Sequence, residues 1–395
     1  MTNHRSILKN WYLWSIILVS LLLIALFTTY GFYGAKSSRS NLQGVYVGVD
    51  AAYDNVTQIK HFVDEMSPYT NLMVIGSQGI TFNVTKLNDV CGYIYDHGMN
   101  FMIYMHPENT SEGIAEQRQW LDEAKTKWGN AFLGLYAFDE PAGRQLDDDT
   151  YRVLENWSAP NYVDAANQFT STLDLYLQHM IKYNYGADWP LVTSDYAAYW
   201  FDYKAGYDVV FAEFGWNWSR PLNVALDRGA ANVQGKDWGV MITWTYTKPP
   251  YLENGTDLYN DLVLAYDNGA KYILVFDANA NYTGTTLQEG QGGHLDELKR
   301  FCQYTIDNPR PSSQPAGNVA YVLPNGYAYG FRGPNDTIWG LWKADDFSLK
   351  ISTELGGLID QYQNSLDIIY DDGLQANTTY GYSRMIFWNG TDYVP

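Results

Sequence analysis

Asp139, Glu140 and Pro141 close the apolar run Phe132-Leu-Gly-Leu-Tyr-Ala-Phe138. Two adjacent carboxyl groups where a short apolar strand stops can do acid–base chemistry. Like charges push their proton affinities apart, so one can hold a proton while the other is ionised. Asp50, Asp195, Glu213 and Asp277 end other apolar runs in the same way. Ser77, Gln78, His106, Glu108, Trp244 and Tyr246 occupy comparable positions. No strand supplies a pair of histidines at metal-ligand spacing, so neither a metal nor a cofactor is expected.

Something must bring these run ends to one place. Eight strand-like runs alternate with amphipathic helical patterns: Gly44–Asp50, Asn71–Ser77, Asn100–His106, Phe132–Asp139, Pro190–Asp195, Val209–Glu213, Trp238–Trp244 and Tyr272–Asp277. They are short, apolar throughout and rich in Val, Ile, Tyr and Phe, as strands buried on both faces must be. Helical spacing is seen in Val56, Ile59, Val63 and Met66, and in Leu87, Val90, Cys91, Ile94 and Tyr95. It recurs in a stripe within Tyr162 to Tyr183 (Val163, Ala166, Phe169, Leu173, Leu177, Met180) and in Leu295, Leu298, Phe301 and Cys302. The expected fold class is α/β, a (β/α)8 TIM barrel over residues 44–310, whose C-terminal strand edges carry the chemistry. A doubly wound open sheet is the alternative, but no glycine-rich phosphate loop follows the first run.

The run Tyr136-Ala-Phe-Asp139-Glu140-Pro141 resembles the strand-four motif of TIM-barrel glycoside hydrolases, in which a glutamate before proline is the general acid. That resemblance implies an oligo- or polysaccharide substrate, with Glu140 as the acid. Asp139 stands where the largest clan has Asn, and the Asp-Glu pair is similar to that of hexosaminidases that use the substrate's acetamido group as nucleophile. Strand seven, which carries the large clan's nucleophile, has no carboxylate here. Glu213 and Asp139 therefore compete for the second carboxyl function. Asp50, His106, Asp195 and Asp277 are expected to bind substrate, as are Trp200, Trp216, Trp244 and Tyr246, because sugar rings pack on flat aromatic faces. A catalytically inactive glycan-binding or cell-envelope surface protein on the same scaffold is the other reading.

The chain of 395 residues opens with a short basic segment, residues 1–10, followed by residues 11–35 without a charge. That stretch is long enough to cross a bilayer, which takes about 20 apolar residues. An uncleaved anchor is expected, and a cleaved signal peptide competes with it. Residues 36–43 form a linker. Ten Asn-x-Ser/Thr sequons, from Asn55 to Asn389, place the body outside the cell as a glycoprotein, on a single-pass anchor or secreted if the segment is cleaved. A net charge of −19 opposes nucleic acid as a partner. Cys91 and Cys302 fall on helices that are not neighbours around a ring, so both are expected to be free and buried. After a linker at 311–317, residues 318–395 read as a small α/β unit with strands Val319–Leu323 and Leu366–Tyr370 and a helix near Ser352–Tyr362.

Overall fold

A computed structural model describes residues 42, 44–107, 110–147, 152–154, 159–178, 189–311, 317–372 and 380–394. The 11–35 segment, most of both linkers, Glu108, Met180 and the sequons at Asn109, Asn156 and Asn377 lie outside them. Among the described residues no helix is long and apolar enough to cross a membrane.

Eight parallel strands close into a barrel in sequence order: β1 (Tyr46–Ala51), β2 (Leu72–Ile75), β3 (Asn100–Tyr104), β4 (Phe132–Tyr136), β5 (Leu191–Asp195), β6 (Val209–Phe214), β7 (Asp237–Ile242) and β8 (Tyr272–Asp277). β8 pairs back onto β1 from Tyr46↔Tyr272 to Ala51↔Asp277. The second, third, fourth and seventh expected strands run two or three residues past the observed ends. There the chain leaves the ladder and turns over the barrel mouth.

Around the barrel lie α1 (Val56–Met66), α2 (Val84–Asp96), α3 (Ser111–Trp128), the short α4 (Pro141–Leu146), α5 (Tyr162–Tyr176), α6 (Tyr199–Ala205), α7 (Arg220–Gln234), α8 (Gly255–Asp267) and α9 (His294–Asp307). Their starts are written into the sequence. The side chains of Asn55, Asn83, Thr110, Asn161 and Asn254 each accept a backbone N–H in the first turn of α1, α2, α3, α5 and α8. Each such cap is worth about 0.5–2 kcal/mol. Two members of the expected apolar stripes, Tyr95 and Val163, are exposed instead, at the last turn of α2 and the first of α5. Cys91 and Cys302 are free and buried.

Side chains alternate in and out along each strand. Leu72 and Val74, Val209 and Phe211, and Tyr272 and Leu274 fill the barrel interior with Met102, Tyr136, Val192 and Met241. The same parity sends Glu213 and Ser194 inward, and Asp195 and Asp277 outward toward the helices.

Beyond the barrel, β9 (Val319–Leu323), α10 (Asp346–Tyr362), β10 (Leu366–Tyr370), β11 (Arg384–Phe387) and β12 (Asp392–Tyr393) form a small unit with sheet order β10-β9-β11-β12. Its helix begins earlier than the apolar pattern alone indicates, at a capping box between Asp345 and Ser348. α7 lies directly on β10. At Gly229 an added Cβ would come 2.6 Å from the Ile368 carbonyl oxygen, so only glycine allows this approach. Trp339, fully buried, packs on Phe169 of α5 and Phe201 of α6 at ring separations of 5.2 and 4.8 Å.

Candidate active site

The C-terminal end of the barrel opens into a cavity of ≈ 810 Å³. Asp139, Glu140 and Glu213 line it together, with Asp50 on the wall below. Glu213 reaches it as the last inward residue of β6, 5 % exposed. Glu140 reaches it through an unusual backbone. Its φ of 52° and ψ of 49° are left-handed, and Phe138 two residues earlier has φ 56°. Non-glycine residues adopt that region at a cost of about 1–3 kcal/mol and persist in it only when their surroundings over-determine them.

Asp195 is the main reason they persist. Its Oδ2 accepts the N–H of Ala142 at 2.7 Å, and its Oδ1 accepts the N–H groups of Gly143, Tyr196 and Ala197 at 2.8, 2.7 and 3.2 Å. Glu140 itself donates its N–H to the Ser194 carbonyl at 3.1 Å, and the Thr193 hydroxyl donates to the Phe138 carbonyl at 2.7 Å. A Cβ on Gly143 would lie 2.4 Å from the Tyr196 ring. The turn that presents Glu140 is thus clamped to β5.

Glu140 and Glu213 are in hydrogen-bonding contact through their carboxyl groups. Burial, the charge of Glu213 and then that of Asp139 raise the proton affinity of Glu140 well above the usual carboxylate range, and Arg144 opposes this. Burial and Asp139 also raise that of Glu213, while hydrogen bonds from Ser194 and from Glu140 restrain it. Glu140 is therefore the proton holder and Glu213 the carboxylate that accepts from it.

A hydroxyl relay joins Glu213 to Asp139. Ser194 Oγ lies 2.7 Å from Glu213 Oε1 and 2.8 Å from the Tyr136 hydroxyl, which donates to Asp139. Two hydroxyl protons serve three contacts. The third is filled only when Glu213 brings a proton of its own. Arg144 spans the pair above, with Nη2 3.3 Å from Asp139 and Nε 3.6 Å from Glu140.

Trp216 and Trp244 line the same cavity, half-buried. Arg220 donates to the carbonyls of Gly215, Trp216 and Trp218 at 2.7, 3.1 and 3.0 Å and so fixes the loop that carries Trp216, itself at φ 47°. Trp244 donates its indole N–H to the Ala278 carbonyl at 2.9 Å. Tyr246, 49 % exposed, lies outside the main cavity and lines an adjoining hollow that shares Trp216.

Besides Tyr246, four expected binding residues do not line the cavity. Asp195 and Asp277 are fully buried on the outward side of their strands, and Asp277 accepts the N–H and hydroxyl of Thr286 at 2.6 and 3.1 Å. Trp200 sits on α6, 5.4 Å ring to ring from Tyr370 of the C-terminal sheet. His106 is exposed, its Nδ1 3.0 Å from the Pro107 carbonyl. Conversely, Ser194 and the clamping role of Arg220 were not anticipated. Strand parity was the signal for Ser194, since it shares the inward face with Val192.

No family model and no curated protein matches the sequence. Among solved structures, the chain is similar to GH5_18 from Streptomyces cattleya in complex with GlcNAc, with TM-score 0.52 at 10% identity over 88% of this chain and 99% of that one. The endo-beta-1,4-mannanase from Thermotoga petrophila matches with TM-score 0.41 at 8% identity, over 70% of this chain and 81% of that one. The endo-1,4-beta-xylanase from Caldicellulosiruptor owensensis matches with TM-score 0.41 at 9% identity, over 66% and 98%. The first likeness shows a shared fold.

Proposed function

We propose that the chain is a glycoside hydrolase that retains anomeric configuration, with Glu140 as acid and base and Glu213 as nucleophile. The observation that carries this reading is the hydrogen-bonding contact between their carboxyl groups. An inverting pair stands about 6.5–9.5 Å apart to admit a water, whereas a retaining pair is separated by about 5–5.5 Å, and carboxyl groups in contact leave no room for that water. Glu140 gives its proton to the glycosidic oxygen as the bond to the anomeric carbon breaks, and Glu213 forms an ester to that carbon. Water then attacks the same carbon, Glu140 takes the water's proton, and the ester bond to Glu213 breaks. The Ser194 hydroxyl steadies the charge on Glu213 while it is free. Asp139, held by Tyr136 and Arg144, keeps the proton affinity of Glu140 high. With the nucleophile on β6, the absence of a carboxylate at the end of β7 costs the mechanism nothing.

Trp216 and Trp244 support a sugar as the ligand, since each offers a flat apolar face beside polar groups. The deciding experiment assays aryl glycosides, acetamido and plain, with the unmodified chain and with Glu140→Gln. Undiminished cleavage by the variant would sink the acid assignment. Cleavage of the acetamido series alone would move the nucleophile's role from Glu213 to the substrate.

The proposed location is outside the cell, with residues 11–35 as the tether. The charge-free length of that segment supports this, as does the exposure of all seven described sequon asparagines: Asn55, Asn83, Asn217, Asn254, Asn281, Asn335 and Asn389. A fall in mass on enzymatic removal of N-glycans from the native protein would test it.

A further inference from the structure

The titratable side chains that line the cavity are nearly all acids. Asp50, Asp54, Asp139, Glu140 and Glu213 face it, and among the described residues Arg144 is its only cationic side chain. Arg144 is already engaged by Asp139 and Glu140. Asp50 has no such partner. It is 1 % exposed, it lines the cavity, and its Oδ1 makes no hydrogen bond. The charges that act on it are those of Asp139 and Asp277, both of its own sign, and the Gly76 N–H is the one group favouring its ionised form. Burial and these like charges hold its proton affinity well above the usual carboxylate range, so Asp50 ionises when a cation arrives to pair with it.

Resting on the reading of this site as a glycoside hydrolase, we propose that its substrate is a glycan carrying free, protonated amino groups, and that Asp50 receives one of them. An ammonium group supplies both the missing charge and up to three donors. Gln78 and Tyr104 also line the cavity, within hydrogen-bonding reach of each other, and Tyr104 is near enough to feel the charge of Asp50, so they provide neutral acceptors. A neutral sugar would satisfy Asp50 with a hydroxyl but leave the acidic excess uncompensated. A uronic acid would add to the repulsion. N-acetylation removes the charge, so the site distinguishes an amino sugar from its acetamido form.

The test is calorimetric titration of the full chain carrying Glu140→Gln, to prevent turnover, with oligomers of glucosamine or galactosamine, their N-acetylated counterparts and a neutral oligomer of equal length. At least one free-amine series is expected to bind about tenfold or more tighter than its acetylated counterpart. Adding Asp50→Asn should bring the two within about twofold. Equal or weaker binding of the amine series, or no binding of it, overturns the inference with Asp50 intact, whether or not the Asp50 variant folds. A preference that survives Asp50→Asn overturns the role of Asp50. Turnover separates the two levels. Glu140-dependent cleavage of neutral glycans without amine preference leaves the hydrolase standing, whereas amine-selective binding without cleavage by the unmodified chain removes the hydrolase and keeps the recognition.

Discussion

Two of the places where this molecule buries carboxylates treat them in opposite ways. At the seam between α7 and the C-terminal sheet, Asp367 accepts Arg228 Nε at 2.7 Å, Asn232 Nδ2 at 3.1 Å and the Tyr382 hydroxyl at 2.8 Å. Arg228 in turn spends its other donors on Asn268, Asn364 and Leu366. Charge and hydrogen bonds are closed off there. In the cavity, Glu140 and Glu213 face each other and Asp139, with one shared guanidinium above. Burial alone does not mark a functional carboxylate. The mark is burial with its pairing left incomplete, because only then is the proton available for chemistry.

The largest effect should come from the cavity side of this contrast. Glu140→Gln should lower kcat by about 10²–10⁴ for glycosides with poor leaving groups and much less for activated aryl glycosides, which depart without a proton. A drop independent of the leaving group would mean that Glu140 is not the acid. On the unmodified chain, activity needs Glu140 protonated and Glu213 ionised. Both affinities are raised, so the pH–rate bell should sit above the range of ordinary carboxylates, with its alkaline limb set by Glu140.

The seam should respond in stability. Arg228→Ala leaves Asp367 buried without its cation and should cost about 3–5 kcal/mol in denaturant unfolding. Turnover per folded molecule should not change. Replacing both partners, Arg228→Met with Asp367→Leu, should recover most of that loss. A double variant that folds well but loses activity would break the contrast, by showing that the seam also shapes the site.

Ser194→Ala probes the hinge of the relay. Losing its hydrogen bond to a charged group is worth about 1.5–3 kcal/mol, or roughly 10–150-fold in kcat/KM. The sign on the acid limb is definite. Ser194 restrains the proton affinity of Glu213, so its removal should move that limb to higher pH. An unmoved limb would exclude Glu213 as the group that must be ionised.

Much of this contrast was legible in the sequence. The apolar runs located all eight barrel strands, and Glu140 and Glu213 at their ends do line one cavity. What the run ends could not show was the facing of individual residues. Asp195 and Asp277 look like Glu213 as strand-ending acids, but counting by twos from Phe211 and Leu274 points Glu213 inward and Asp277 outward. Trp200 could not be placed at all without β10, since its partner Tyr370 is 170 residues away. The left-handed turn at Glu140 was equally hidden, because the four N–H groups that Asp195 collects are a property of the folded β5–α4 junction.

The smallest predicted effect has the least expected sign. Asp202, fully buried on α6, faces Asp195 and hydrogen-bonds it, and burial followed by the charge of Asp195 holds its proton affinity well above 3.8. Between its unfolded and folded values the native chain binds a proton that the unfolded chain does not, so its contribution to stability is full below about pH 4 and declines as pH rises, by up to about 1.4 kcal/mol per pH unit. Asn cannot titrate, yet its amide can still donate to Asp195 and keep the Glu140 turn in place. Asp202→Asn should therefore flatten the fall of unfolding free energy between pH 5 and 8, each about one or more pH units from the unfolded value, and stabilise the chain by about 1–3 kcal/mol at the upper end. Its kcat should stay near that of the unmodified chain. An unchanged slope would show that Asp202 is ionised in the native state. A preserved slope change with lost turnover would show that the Asp202 proton, and not only its hydrogen bond, holds the catalytic turn, placing it on the functional side of the divide between closed and open carboxylates.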